Sequence, residues 1–214
     1  MTAVDALSAA LKDRPRGFFI AFEGGDGSGK STQLELLRRR LDAPLVFTRE
    51  PGGTPLGNQI RNLVMHGPDN IDARTEALLY AADRAYHVAT TIRPALSSGK
   101  TVITDRYIDS SVAYQGLGRG LGVEAIRDLS LWAVDGLEPD LVVVFDVPVE
   151  VGLQRAGAEP DRIERAGKGF HEEVRAQYLS AAAAKPQQYR VIDSTLPVEE
   201  VFALTIDALL ESCS

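Results

Sequence analysis

The chain has 214 residues, 44% of them hydrophobic and 25% charged, with 30 acidic against 23 basic side chains and a formal net charge of −7. That much apolar surface argues for one compact domain rather than a disordered chain, and the acidic balance argues against broad adhesion to nucleic acid or an anionic membrane. No apolar run approaches the ~20 residues that span a bilayer, and the single cysteine, Cys213, allows neither an intrachain disulfide nor a Cys-based metal site, so a reduced cytoplasmic protein is expected.

Residues 1–16 carry Asp5, Lys12, Asp13, Arg14 and Arg16 around a short Ala/Leu patch, too interrupted for a signal peptide, and read as a loosely ordered extension ahead of a single domain over 17–214. Residues 18–22 are a continuous apolar run cut off at Glu23-Gly24-Gly25, the pattern of a strand buried on both faces. Leu34, Leu37 and Leu41 then recur at helical spacing until Asp42 and Pro44. Residues 45–47 predict a second strand running into the irregular turn Thr48-Arg49-Glu50-Pro51-Gly52-Gly53. Residues 72–96 predict the longest helix, with Asp72 as N-cap, Gly99 as stop and Pro94 disturbing its last turn. Strands follow at 101–104, 141–145 and 189–192, each ending at an aspartate, with helices starting near Pro148 and Phe170 and a closing helix over 197–210. The Ala181–Ala184 run reads as helical surface, and the Gly-, Pro- and charge-rich stretch 156–169 as a mobile flap or lid. Apolar strands alternating with helices predict a three-layer α/β/α fold on a five-stranded parallel sheet, with ligands at the C-terminal strand ends.

Gly24-Gly25-Asp26-Gly27-Ser28-Gly29-Lys30-Ser31, continued by Thr32, fits G-x-x-x-x-G-K-[ST] between a buried strand and a helix, where a phosphate-binding loop belongs. In such a loop the backbone amides converge on phosphate oxygens, Lys30 reaches the terminal phosphates and Ser31 offers a hydroxyl to Mg²⁺; the plain alternative is a glycine-rich βα turn. Asp26 would repel a triphosphate, so its carboxylate is expected to face a second substrate's hydroxyl or a metal, or to make a local Asx turn. Arg49 and Arg106 follow two strands and fall on the same edge, which suits a second phosphate; ion pairs with Glu50 and Asp105 are the alternatives. Asp105 is placed to hold Mg²⁺ or to accept from Arg106. Tyr80 and Arg84, four apart on the long helix, offer an aromatic platform beside a forked donor, or else a core tyrosine with a solvated arginine. Tyr107, Tyr114 and Gln115, followed by Gly116, Gly118 and Gly120, suggest a ligand-side loop. With no [NT]-K-x-D guanine motif in the chain, an ATP-driven phosphotransferase with a phosphorylated acceptor fits better than a nucleotide switch.

Thr48-Arg49-Glu50-Pro51-Gly52-Gly53-Thr54, Asp105-Arg106-Tyr107, Ser110-Ser111 with Ala113-Tyr114-Gln115-Gly116, Gly118-Arg119-Gly120 and Asp161-Arg162-Ile163-Glu164 occur in an order that resembles the bacterial thymidylate kinases. The resemblance implies a P-loop kinase, a homodimer, that passes the γ-phosphoryl of Mg-ATP to dTMP. It implies that Arg49 and Arg106 hold the dTMP phosphate and that Asp26 lies near the sugar 3′-hydroxyl. Tyr80 stands where a phenylalanine stacks on thymine, Arg84 where an arginine bonds the base, Ser111 near N3, Gln115 in the same segment, and Tyr114 where an aromatic crowds the 2′ position. Arg155 resembles an arginine near adenine and the ATP phosphates, and Asp193-Ser194 lies near the adenine. Residues 156–160 hold no arginine, so Arg155 and Arg162 are the expected lid arginines acting on the transferred group, followed by Arg165 and Lys168. Positive charge thus gathers at the site, and the −7 is expected on surfaces away from it.

Overall fold

A computed structural model describes residues 2–213 apart from 13, 15, 157–161, 164 and 166. Five strands, β1 (Phe19–Glu23), β2 (Leu45–Arg49), β3 (Thr101–Asp105), β4 (Leu141–Asp146) and β5 (Tyr189–Asp193), form one parallel sheet in the order β2-β3-β1-β4-β5. Alternate strand residues feed opposite layers. Phe19, Ala21, Val102, Val142 and Val144 pack towards one set of helices, and Ile20, Phe22, Ile103, Val143 and Phe145 towards the other, as a doubly covered sheet requires. The register pairs Phe22 and Arg49 with Asp105, Glu23 with Val144, and Asp146 with Asp193, so the predicted strand-end residues share one edge.

The helices are α1 (Ala3–Lys12), α2 (Lys30–Arg40), α3 (Pro55–His66), α4 (Ala73–His87), α5 (Arg93–Ser97), α6 (Ile108–Ser111), α7 (Val123–Ala133), α8 (Val149–Ala156), α9 (Lys168–Ala184) and α10 (Val198–Cys213). Asp72 caps α4 by accepting from the amides of Arg74 and Thr75. The chain then widens into a π turn over Val88–Ile92 just before Pro94, whose missing amide hydrogen cannot serve an ordinary helical ladder. The predicted long helix is therefore α4, the π turn and α5 in succession. α3, α6 and α7 are additional to the expected elements; α3 is announced by Thr54, whose hydroxyl accepts from the Gly57 amide, and by Pro55 in the first turn. Within α9 the alanine run is only partly surface, since Ala182 is buried against the sheet.

For residues 3–12 the expected loose extension is corrected by the structure. Ala3–Lys12 form α1, and Leu7 and Leu11 are fully buried in one core layer with Ile206 and Leu209 of α10. Truncating either leucine should remove transfer energy and leave a cavity, a loss of about 2–5 kcal/mol. Urea unfolding of Leu7→Ala or Leu11→Ala should show a markedly lower midpoint with an unchanged slope; an unchanged midpoint would return the segment to the status of a loose extension.

Candidate active site

The loop between β1 and α2 closes through glycines with positive φ: 135° at Gly24, 68° at Gly27 and 87° at Gly29. A Cβ on Gly27 would collide with the Gly152 carbonyl, so close approach of α8 adds to the need for glycine. Lys30 is buried and folded back, its Nζ donating to the carbonyls of Gly24 and Gly25, both at 2.9 Å, and to Ser28 Oγ at 3.1 Å. Desolvation first, and then the Arg106 charge, pull its pKa down to about 8. The negative charge of an arriving polyphosphate would counter both effects and favour the ammonium form. Lys30, Ser31, Thr32, Arg49, Asp105, Arg106 and Arg155 border one open cavity of about 590 Å³.

Arg106 follows β3 with φ 67°, an uncommon conformation for a side-chain-bearing residue. The turn aims its guanidinium at the phosphate loop, where it donates to Gly24 O (3.1 Å), Ser110 Oγ (3.1 Å) and Tyr178 Oη (3.3 Å), and pairs with Asp26. Tyr114 donates to the other Asp26 oxygen at 3.0 Å. Burial pushes the Asp26 carboxyl up, but Arg106, Lys30 and Tyr114 together hold it below the ordinary carboxylate range. The Asx-turn alternative is thus not what holds Asp26. Beneath this pair sits Glu23, fully buried, accepting from the amides of Tyr107 (2.8 Å) and Ser110 (3.3 Å) and from Ser110 Oγ (2.6 Å). Desolvation, and next Asp109, raise its pKa to about 7.

A second cavity, about 120 Å³, is bordered by Tyr80, Arg84, Ser111, Tyr114 and Gln115. It shares Asp26, Glu50, Arg61 and Arg106 with the phosphate cavity, so the two spaces meet at the Asp26–Arg106 pair. Arg84 is neither solvated nor loose. Buried at 2% exposure, it donates through Nε to Glu50 (2.8 Å), through NH1 to Ser130 Oγ (3.1 Å), and through NH2 to Tyr107 O (3.0 Å) and Ser111 Oγ (2.9 Å). Glu50 also bonds His87 Nδ1 at 2.8 Å, and His87 Nε2 meets Thr48 Oγ1 at 2.6 Å. The Arg49–Glu50 ion-pair alternative is therefore overturned: Glu50 belongs to Arg84 and His87, while the Arg49 side chain is exposed at the phosphate cavity with no hydrogen bond or ion pair among the described residues. Nor does Asp105 hold Arg106 by an ion pair, whose carboxylate partner is Asp26.

The expected ligand-side loop is a helix. Ile108–Ser111 form α6 and Val112–Gly118 a π-helical segment, in which Gly116 and Gly118 allow close contact with Val123 and the Phe170 ring. Arg155 points between the phosphate cavity and a neighbouring space of about 220 Å³ bordered by Gln33, Ser194 and Leu196, and donates to Ser194 O at 2.8 Å. Arg162 is a correction: it does not reach the phosphate cavity. Its guanidinium is 8% exposed and held by Val64 O (2.9 Å) and Glu76, because the negative end of α3 and a buried carboxylate attract it. Ile163 is likewise buried, so Arg162 and Ile163 of the expected flap pack down; residues 157–161, 164 and 166 lie outside the described residues. Arg165 pairs with Asp69, and Lys168 with Glu150 and Glu172, all at the surface. Arg61, missed from the sequence, borders both cavities and donates to Pro51 O at 3.0 Å; the helical spacing of Leu56, Ile60 and Leu63 after Thr54-Pro55 was the signal for its helix.

Among the described residues no three His, Cys, Asp or Glu side chains gather into a self-contained metal site. One oxygen, Asp105 Oδ1, is nevertheless buried without a hydrogen-bond partner and belongs to the same cavity wall as Ser31. These two oxygen donors fit Mg²⁺, which takes few protein ligands and completes its shell with phosphate oxygens and water.

The chain matches the thymidylate kinase family over residues 22–204. It is 53% identical over 197 residues to the thymidylate kinase of Leifsonia xyli subsp. xyli, covering 89% of this chain and 93% of that one. To the thymidylate kinase of Bifidobacterium longum it is 51% identical over 194 residues, 87% of this chain and 94% of its relative. The crystal structure of thymidylate kinase from Ehrlichia chaffeensis superposes with a TM-score of 0.74 at 34% identity, covering 91% of this chain and 99% of that one.

The buried Glu23 gives a stability test of the site's scaffold. Its folded-state pKa of about 7 exceeds the ordinary 4.5, so the folded protein binds the extra proton between those values and loses stability as pH rises through them. Glu23→Gln keeps the shape without the charge. Its stability relative to the wild type should improve by about 3 kcal/mol between pH 4.5 and 7, read by urea unfolding at each pH; a pH-independent difference would place the titration elsewhere.

Proposed function

The chain belongs to the thymidylate kinase family, and on that premise we propose that it transfers the γ-phosphoryl group of ATP to dTMP, giving ADP and dTDP. The observation that carries the assignment of the site is the shared wall: one small cavity lined by an aromatic and an arginine opens onto the phosphate-loop cavity at Asp26 and Arg106. A nucleoside monophosphate whose base occupies the small cavity therefore presents its phosphate to the phosphate loop.

In this reading the loop amides from Gly24, Gly25, Gly27, Ser28 and Gly29, with Lys30, Ser31 and Thr32, hold the ATP phosphates, and Arg155 with Ser194 flanks the adenosine. Arg49 and Arg106 hold the dTMP phosphate, Tyr80 stacks on thymine, Arg84, Ser111 and Gln115 face its polar edge, and Tyr114 with Asp26 bounds the deoxyribose. Ser31 and Asp105 are the residues that would hold Mg²⁺, which when bound neutralises phosphate charge. An oxygen of the dTMP phosphate attacks the γ-phosphorus in line with departing ADP. The acceptor is already ionised, so alignment and charge stabilisation suffice and no covalent enzyme intermediate is needed. Arg155 is the lid-side cation at the phosphate cavity and is assigned to the spreading charge of the transferring group.

We further propose that the protein acts as a homodimer in the cytoplasm. Among the described residues no helix is long and apolar enough to cross a membrane. Leu63 of α3, Leu78 and Tyr86 of α4 and Trp132 of α7 are exposed, and α4 packs against both α3 and α7, so these are the apolar side chains a second protomer would cover.

Purified protein with Mg-ATP should convert dTMP to dTDP, followed by chromatography of the nucleotides; phosphorylation of thymidine or AMP instead would overturn the acceptor. Arg49→Ala should raise KM for dTMP well above any change for ATP, and Arg155→Ala should lower kcat by about 10³-fold if it acts as an arginine finger. Light scattering should give twice the chain mass, and Leu78→Glu with Tyr86→Glu should give the monomer.

A further inference from the structure

Glu76 lies in the first turn of α4, 1% exposed, and takes no part in the assignments above. A buried carboxylate is costly unless its lone pairs are filled and its charge is met. Both conditions hold. One oxygen accepts from Gln115 Nε2 at 2.8 Å and Arg119 Nε at 3.3 Å, the other from Arg119 NH2 at 3.4 Å and from Arg162 NH2. Arg162 completes a bridge to α3, its Nε donating to Val64 O at 2.9 Å and its backbone amide to Met65 O at 3.4 Å. Those carbonyls are in the last turn of α3, where the helix has no amides of its own to offer.

The bridge borders the acceptor cavity. Gln115, Met65 and Ile163 line it, and each is attached to the bridge: Gln115 directly, Met65 through its carbonyl, and Ile163 as the next residue after Arg162. We propose that Glu76 is a positioning residue for the acceptor nucleoside, clasping Arg162 so that Ile163 and Gln115 form the wall of the base cavity, and that Arg162 serves acceptor binding rather than the transferring phosphoryl group. The proposal rests on the dTMP kinase reading. It follows that Arg162 and Arg155, though only seven residues apart, act on different substrates. A guanidinium suits the clasp because its planar fork reaches Glu76 and Val64 O together, which an ammonium cannot do in the same geometry.

Steady-state kinetics of Arg162→Ala, Arg162→Lys and Glu76→Gln decide it, with thermal melting of each variant to show that it folds. Arg162→Ala and Glu76→Gln should raise KM for dTMP about tenfold or more, the size of one charged hydrogen bond, with KM for ATP within about twofold and kcat within about fivefold. Arg162→Lys should recover part of the loss. The double variant should be no worse than the poorer single, since both act through one contact. A kcat falling about 10³-fold at unchanged KM for dTMP would make Arg162 a transition-state arginine and overturn the proposal; unchanged constants throughout would reduce the clasp to scaffold. Wild-type protein inactive on dTMP but active on another acceptor would overturn the functional reading alone, and the clasp would then be judged on KM for that acceptor.

Discussion

Arg106 leaves β3 in a left-handed conformation, which for a residue with a side chain costs on the order of 1–3 kcal/mol, and the site depends on that cost being met. Its backbone amide donates to Phe22 O at 2.9 Å, its carbonyl accepts from Thr104 Oγ1 at 3.0 Å, and the next amide, of Tyr107, is taken by Glu23. The strand end is thereby over-determined, and the guanidinium is carried to the one place where it can hold the Gly24 carbonyl and Asp26 together. Phosphate loop, acceptor cavity and the π-helical segment with Tyr114 are all indexed to that group. A lysine there could supply the charge but not this many donors in a fixed plane.

Buried acids stand behind the basic groups. Glu23, Glu50, Glu76, Asp83 and Asp109 are all buried; Glu50 and Glu76 are paired with arginines, and burial raises the pKa of Glu23, Asp83 and Asp109. Asp83 shows the cost: burial and the nearby Glu50 raise its pKa to about 6, one oxygen accepts from the Gly52 amide at 3.2 Å and the other has no hydrogen-bond partner among the described residues. The return is rigidity. Glu50 fixes Arg84 and His87, and Glu76 fixes Arg119 and Arg162, before any substrate arrives.

What could be read in the sequence was what chemistry makes local. The phosphate loop is one run of eight residues, the strands are unbroken apolar segments, and their parallel pairing under two helical layers follows from alternation with helices, whereas the strand order β2-β3-β1-β4-β5 does not. What could not be read depends on distant partners. Leu7 and Leu11 look like an isolated Ala/Leu patch until α10 supplies Ile206 and Leu209. Gly116 and Gly118 look like flexibility, whereas they admit Val123 and Phe170 at close range inside a helix. Arg162 sits in a polar, glycine-rich stretch that reads as a flap, because Val64 and Glu76, which hold it, are some ninety residues earlier.

The arginines at the site therefore divide by how far their charge is already met. Arg84 is fully engaged by protein oxygens and Arg162 is neutralised by a buried carboxylate, so neither gains much from a further anion; each is suited to shape and to neutral polar edges, such as those of a base. Among the described residues the Arg49 side chain has no hydrogen bond or ion pair, and the hydrogen bonds given by Arg61 and Arg155 go to backbone carbonyls, so no carboxylate there offsets their charge at the phosphate cavity. Arg106 is intermediate, shared between Asp26 and the phosphate space at the junction of the two cavities. A gradient of unmet positive charge thus runs from the base cavity towards the phosphate loop. In the proposed reading this gradient would orient a nucleoside monophosphate by its charged end without a broadly basic surface, so that an acidic protein could bind two polyanions face to face.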